Sequence, residues 1–313
     1  MKGGFPLQCF LPFLLVLCLS GPQPSLGFRI CAFNIQHFGE SKASKPKVLH
    51  NLVRILSRCD VCLLQEVRDV QHIALKKLLV SLNKYDEKYH YDYVSSEPLG
   101  RTAYKEQYVF VYRTASVEVL ETYQYPDNQK GDEDAFARPP FIVKLKAPKT
   151  AIREFVLIPQ HTSPTNATKE IDELYDVFLV VKEKWNIANI MFLGDFNAAC
   201  GYVAKKNRKN IRLLVEPDFY WLIADDVDTT VRESTSCAYD RFVVYGRTLL
   251  RGIEPGTAGI FRFDKAYHLT EDKALELSDH YIIQLTMKSS AQQWQAQLSL
   301  LFITACILFL IVA

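Results

Sequence analysis

Short apolar runs of strand length recur along the chain, and six of them carry at one end a residue that can hold a metal or move a proton. Positions 29–33 lead to Asn34, 61–65 to Glu66, 155–160 to His161, and 190–194 to Asp195 and Asn197. In the opposite sense, Asp240 precedes 242–245, and Asp279 and His280 precede 281–285. In a mixed sheet the ends of strands running one way and the starts of strands running the other share an edge, so all six clusters can converge on one site.

Helical periodicity separates these runs. Ser44 as cap and an early Pro46 open a helix with Val48, Leu49, Leu52, Val53 and Leu56 at helical spacing, ending near Cys59. A second helix is expected after Arg68, and a third after a cap at Asn166 or Thr168, with Ile171, Leu174, Tyr175, Phe178 and Val181 on one face. Segments 108–112 and 117–123, and again 141–145 and 154–158, are strand-like with short gaps and are read as hairpins. Helices interleaved with antiparallel pairs indicate an α/β sandwich of mixed sheets rather than an all-parallel dinucleotide fold. No Gly-x-Gly-x-x-Gly or Walker loop occurs.

The two ends of the chain read differently from its middle. Lys2, the apolar stretch 7–19 and the small residues Ser25 and Gly27 have the order of a secretory signal peptide over 1–27, with a mature start near Phe28. Positions 298–313 are almost wholly apolar and run to the last residue without a basic flank. With small Ser289, Ser290 and Ala291 and the polar spacer 292–297, positions 289–313 form the three-part signal for a GPI anchor. A tail-anchored helix is the other reading, but a span wants roughly twenty apolar residues. The implied location is the secretory pathway and the outer cell surface, with the endoplasmic reticulum on the same route. No linker divides 28–288, so one domain is expected there.

The chain carries a net charge of +2, to which Lys2 contributes one, so bulk charge demands no polyanionic partner. Of the eight cysteines, Cys9 and Cys18 fall in the leader and Cys306 in the tail. Cys200 and Cys237 sit in polar, loop-like sequence and are expected to bridge in an oxidising compartment. Cys31, Cys59 and Cys62 lie in apolar runs and are read as buried thiols, not zinc ligands. Asn166-Ala167-Thr168 is a glycosylation sequon.

Glu66, Glu106, Asp195, Asp240 and Asp279 cannot share a cleft unaided, because two carboxylates about 4 Å apart repel by roughly 4 kcal/mol at an effective dielectric near 20. A divalent cation removes that penalty, and carboxylates with an Asn amide suit hard Mg²⁺, Mn²⁺ or Ca²⁺. His161 and His280 each leave a strand in a polar turn where an acid can orient them, as a general acid or base requires. Proton transfer contributes about 10²–10⁴-fold while hydrolases reach about 10⁶-fold and beyond, so a metal Lewis acid must supply the remainder. The pattern is that of a metal-dependent hydrolase.

Five blocks carry a resemblance. Positions 93–106, ending in Tyr104-Lys105-Glu106, then 65–69, Gly194-Asp195-Phe196-Asn197, Cys237-Ala238-Tyr239-Asp240-Arg241 and Ser278-Asp279-His280-Tyr281 together resemble the deoxyribonuclease I family. The third and fifth are shared across the wider endonuclease/exonuclease/phosphatase superfamily, while the 104–106 and 237–241 blocks are more specific. The likeness runs from about Phe28 to Met287 and implies a four-layer α-β-β-α sandwich that cleaves DNA with Mg²⁺ or Mn²⁺ and Ca²⁺. It implies His161–Glu106 and His280–Asp240 as catalytic pairs, Glu66 as metal ligand, and Asn34, Asp195, Asn197 and Asp279 around metal, phosphate or histidines.

The same resemblance implies DNA contact by Arg68 and Tyr104 in the minor groove and by Arg138, Tyr202 and Tyr239 near the phosphate, with slight sequence preference. Gln36 stands where the family pattern has an arginine, which removes one cationic phosphate contact. The family's small disulfide loop has no cysteines here, over 125–134, although Asp127, Asp132, Glu133 and Asp134 are candidate calcium donors, as are Asp228 and Thr230. Ser95 replaces an apolar residue of the actin-binding strand, so tight actin binding is not expected, and a monomer is. The basic run Lys205, Lys206, Arg208, Lys209 and Arg212 offers further phosphate contact. Two rivals stand beside this reading: a superfamily phosphodiesterase acting on a phospholipid or phosphoinositide, and a catalytically inactive surface module that binds DNA.

Overall fold

The computed structural model describes residues 27–131 and 133–292. Among them, twelve strands form two six-stranded sheets. In chain order they are β1 (Phe28–Phe38), β2 (Val61–Val67), β3 (Tyr91–Ser95), β4 (Gln107–Arg113), β5 (Glu118–Gln124) and β6 (Phe141–Lys146). Then come β7 (Glu154–Pro159), β8 (Ile190–Asp195), β9 (Phe219–Trp221), β10 (Asp240–Tyr245), β11 (Gly259–Phe261) and β12 (Ile282–Met287). The first sheet has the order β11-β12-β1-β2-β4-β3 and the second β5-β6-β7-β8-β10-β9. β1 pairs with β2 and β7 with β8 in parallel, and the other pairs are antiparallel, so both sheets are mixed as expected.

Period-two alternation builds the layers. Along β1, Ile30 and Ala32 face the other sheet and join Leu63, Phe110, Val143, Leu157, Leu193 and Phe242 in the central core. Cys31, Phe33 and Ile35 face outward, against helices α1 (Pro46–Leu56) and α2 (Ile73–Tyr85). On the far side, Val156, Ile158 and Phe192 meet Ile171, Leu174, Val177 and Val181 of α3 (Ala167–Trp185). Each such aliphatic side chain contributes about 1.5–3 kcal/mol by leaving water. The four layers are therefore α-β-β-α.

Three local expectations are corrected. Segments 108–112 and 117–123 do not form a hairpin: β4 belongs to the first sheet and β5 to the second. The link turns inward at Val117, which is buried between the sheets and carries the chain across. Ser44 does not cap α1, because it ends the short helix Glu40–Ala43 and donates its hydroxyl to Ser41 O, leaving Lys45 at the cap and Pro46 first. Cys31 and Cys59 are not thiols but a disulfide, with Cα atoms 6.2 Å apart. Cys31 faces the α1 layer, and the turn that ends α1 brings Cys59 over it; the apolar strand context concealed this.

Cys200 and Cys237 are also bridged, and Cys62 is a buried thiol whose pKa burial raises. The 141–145 and 154–158 hairpin is present as β6 and β7. Among the described residues no helix is long and apolar enough to cross a membrane. The expected leader, apart from Gly27, and the apolar stretch 298–313 lie outside the described residues.

Candidate active site

Asp195 ends β8 opposite Asp240, its antiparallel register partner, which begins β10. One oxygen of Asp195, Oδ2, lies 3.7 Å from His161 Nε2 and 3.6 Å from His280 Nε2. Behind each imidazole stands a carboxylate: His161 Nδ1 meets Glu106 Oε2 at 2.8 Å, and His280 Nδ1 meets Asp240 Oδ2 at 2.8 Å. All five residues are at least nine-tenths buried. The two Nε2 atoms thus converge while the two Nδ1 atoms are fixed from behind.

Burial and the Arg138 charge press His161 toward its neutral form, but the Glu106 hydrogen bond and the Glu106 and Asp195 charges outweigh them and raise its pKa. Burial likewise opposes protonation of His280, and the Asp240 and Asp195 charges overcome it, raising its pKa well above the usual value. Burial raises Asp240 as well. Both directions within that pair mean that it retains a proton between its members.

The second half of the site is built on β1 and β2. The β1–β2 ladder is interrupted between Asn34 and Phe38 and the β2–β4 ladder between Leu64 and Val67, and Glu66 takes the left-handed region at φ 57°. Asn34 Nδ2 donates to Glu66 Oε1 at 2.9 Å and to Asp195 Oδ2 at 3.2 Å, so the amide chains the two carboxylates together. Asp195, Asp240 and His280 also offer ligand atoms within 4.8 Å of one another. These donors are carboxylates, an amide and an imidazole without thiolate, and Asp240 Oδ1 is buried with no hydrogen-bond partner among the described residues. The set fits a hard divalent cation.

Gln65, beside Glu66, joins the sheets. Its Nε2 donates to Gln160 O at 2.6 Å, and its Oε1 accepts the Asp195 N–H at 2.9 Å. Gly194 is required at that crossing: its φ is +126°, and a Cβ there would stand 2.5 Å from both Gln160 O and Gln65 Nε2. The sequence motif around Asp195 therefore has a steric cause at its glycine.

The sequence pattern of the Endonuclease/Exonuclease/phosphatase family matches residues 31–280. Deoxyribonuclease gamma of Homo sapiens is 45% identical over 277 residues, which cover 88% of this chain and 91% of that protein. Deoxyribonuclease-1 of Sus scrofa is 48% identical over 275 residues, covering 87% and 96%. The chain belongs to the deoxyribonuclease I family. Among solved structures, the human Nocturnin catalytic domain with bound sulfate anion matches with a TM-score of 0.57 at 15% identity, over 84% of this chain and 95% of that one, a likeness of fold alone.

In this deoxyribonuclease-family chain the rim groups fall into two aromatic pairs. The exposed Arg68 lies over the Tyr104 ring at 4.3 Å, and Tyr202 stacks near Tyr239 at 5.4 Å, with Tyr239 6.2 Å from His280. Arg138 is not at the open rim. Its Nε donates to His161 O at 3.0 Å and its Nη1 lies 3.4 Å from Glu106 Oε1, so it stands behind the His161–Glu106 pair. Asn197 donates its N–H to Asp195 Oδ1 and its amide to Thr162 O. Asp279 is half-buried before β12; its charge partly offsets the burial that lowers the Lys42 pKa to about 8, and adds to the charges that raise the His280 pKa. Asn166 is exposed at the start of α3.

Several contributors escaped the sequence reading. His37 Nδ1 lies 2.9 Å from Glu66 Oε2 and 2.8 Å from Tyr104 Oη. Lys42 donates to Ile35 O, Gln36 O and Leu277 O, tying the end of β1 to the turn before His280. Thr229 accepts the Tyr239 and Asp240 N–H groups. Only the placement of Gln65 between apolar strand residues and Glu66 was a visible signal. Of the other candidates, Asp127 accepts the Ala135 and Phe136 N–H groups, and Asp228 those of Thr230 and Cys237. In the basic run, Arg208 pairs with Asp225 and Arg212 with Asp172 and Asp176.

Proposed function

We propose that this protein is a divalent-metal-dependent endonuclease that hydrolyses DNA phosphodiester bonds with little sequence preference and leaves 5′-phosphate ends. The observation that carries it is the pair of oriented imidazoles whose Nε2 atoms both face one oxygen of Asp195. One Nε2 takes a proton from the attacking water and the other gives a proton to the leaving 3′ oxygen, while Glu106 and Asp240 hold the rings at Nδ1. Glu66 and Asn34, with Asp195, would hold Mg²⁺ or Mn²⁺. When bound there, the cation neutralises the carboxylates and polarises a phosphoryl oxygen.

DNA seats on Arg68 and Tyr104 to one side and on Tyr202 and Tyr239 to the other, contacts that read backbone and groove width. Arg138, beside the His161–Glu106 pair, lies near the phosphate. Ca²⁺ is a second ion of the folded protein. The leader and tail make this a secretory-route protein, glycosylated at Asn166 and held on the outer membrane surface by a lipid anchor, acting as a monomer without tight actin binding.

Plasmid nicking beside sphingomyelin hydrolysis, with Mg²⁺ and Ca²⁺ present, tests the reading. Nicking of the plasmid alone is expected. Lipid hydrolysis without nicking would transfer the site to the phospholipid class, and DNA binding without nicking would make it an inactive module.

A further inference from the structure

Strands β1, β2, β4 and β12 each run from the active-site end to the opposite pole of the sandwich, where they reach Phe28, Val61, Arg113 and Met287. At about 3.3 Å per residue, the two poles stand roughly 20 Å apart. The far pole holds an open cleft of about 620 Å³ whose lining includes Arg29, Arg58, Asp60, Arg113 and Lys149. Four of these side chains are cationic and one is acidic. Asp60 is engaged, accepting the Arg29 backbone N–H at 2.8 Å and pairing with Arg113 at 3.2 Å.

Among the described residues Arg29 and Arg58 form no ion pair within 4 Å; the Asp60 charge acts on Arg29, and Arg58 Nη2 donates to Gln284 Oε1 at 3.4 Å. Arg29 Nη1 donates to Arg58 O at 3.2 Å, and Arg58 lies over the Phe261 ring at 3.7 Å. Arg58 Nε is buried without a hydrogen-bond partner among the described residues. Burial and then the Arg29 charge both lower the Arg58 pKa, a standing repulsion that a bound anion relieves.

The same cleft lies where the described chain leads toward the apolar tail. Ser289, Ser290 and Ala291 line it, just past the end of β12. Under the lipid-anchor reading the apolar tail is removed and the lipid attaches at the small residues 289–291, which line the cleft themselves.

We propose that this cleft binds the phosphate of an anionic phospholipid headgroup and so holds the active site turned away from the membrane. The choice of occupant rests on the membrane-anchor reading and is independent of the nuclease chemistry. Charge complementarity and the attachment of the anchor at the cleft's own lining favour a lipid over free phosphate.

The test is hydrogen–deuterium exchange on the lipid-anchored protein in phosphatidylcholine micelles, with and without phosphatidylserine, read at segments 57–60 and 113–116. Phosphatidylserine should slow exchange there several-fold. The double variant Arg29→Gln, Arg58→Gln should lose that protection while nicking plasmid at the wild-type rate. Lys149→Gln, on an exposed turn, should weaken the protection even if the double variant fails to fold. Absence of protection, protection that survives Lys149→Gln undiminished, or equal protection by millimolar inorganic phosphate in neutral micelles would overturn the proposal. Protection without plasmid nicking by wild type would instead strike at the nuclease reading alone.

Discussion

Replacing Glu106 with Gln keeps the side-chain shape and removes one charge from the cluster of His161, Glu106 and Arg138. Burial by itself raises the Glu106 pKa, but the hydrogen bond and charge of His161 and the charge of Arg138 outweigh it, lowering the value from 4.5 to about 2. At 1.36 kcal/mol per pH unit, that depression is worth about 3 kcal/mol of stability. Because the folded state favours the ionised form, the contribution is fully present above pH 4.5 and is lost as pH falls through about 2. Urea unfolding of wild type and Glu106→Gln should therefore differ by about 3 kcal/mol at pH 7, with the gap narrowing only below about pH 4.5. With His161 no longer held by a charged partner, nicking should fall by about 10²-fold or more. A gap that ignores pH, or one below about 0.5 kcal/mol, would refute the electrostatic reasoning.

Glu170 presents the opposite sign. Burial raises its pKa from 4.5 to about 7, so the folded protein loses stability as pH rises through that window. Glu170→Gln should stabilise by up to about 3 kcal/mol at pH 8 and by nothing at pH 4, measured by thermal unfolding; an equal effect at both would remove the carboxylate as the cause. Converting Cys31 and Cys59 to Ala opens a loop of sequence separation 28 and should cost about 3–4 kcal/mol of stability in urea while nicking at 25 °C persists. Chelating divalent metal should abolish nicking, and Glu66→Gln should raise the Mg²⁺ needed for half-maximal rate by about 10-fold or more. An unchanged Mg²⁺ titration would take Glu66 out of the ligand set.

The layers of the fold were legible because β1, β8 and β10 are buried on both faces, which makes apolar runs, and because their polar ends are abrupt. The six chemistry-bearing ends were legible for the same reason. What failed depended on direction rather than composition. The segment 108–123 has strand, gap and strand, and nothing in its pattern says that Val117 dives between sheets. Cys31 and Cys59 look like core residues because the bridge itself is buried under α1. Arg138 stands beside Glu106 because of the path of the loop after β5, which residue types do not encode. His37 and Lys42 act through backbone geometry at the end of β1, where Gln36 and His37 take positive φ, and no periodicity marks that.

The most direct measurement is the single-turnover nicking rate of His161→Ala, His280→Ala and the double variant, each with its folding checked by circular dichroism. If the two imidazoles serve one phosphate, each single variant should lose at least about 10²-fold and the double should be no more than about tenfold worse than the slower single. Losses that multiply in full, or a single variant that nicks at the wild-type rate, would contradict their joint action.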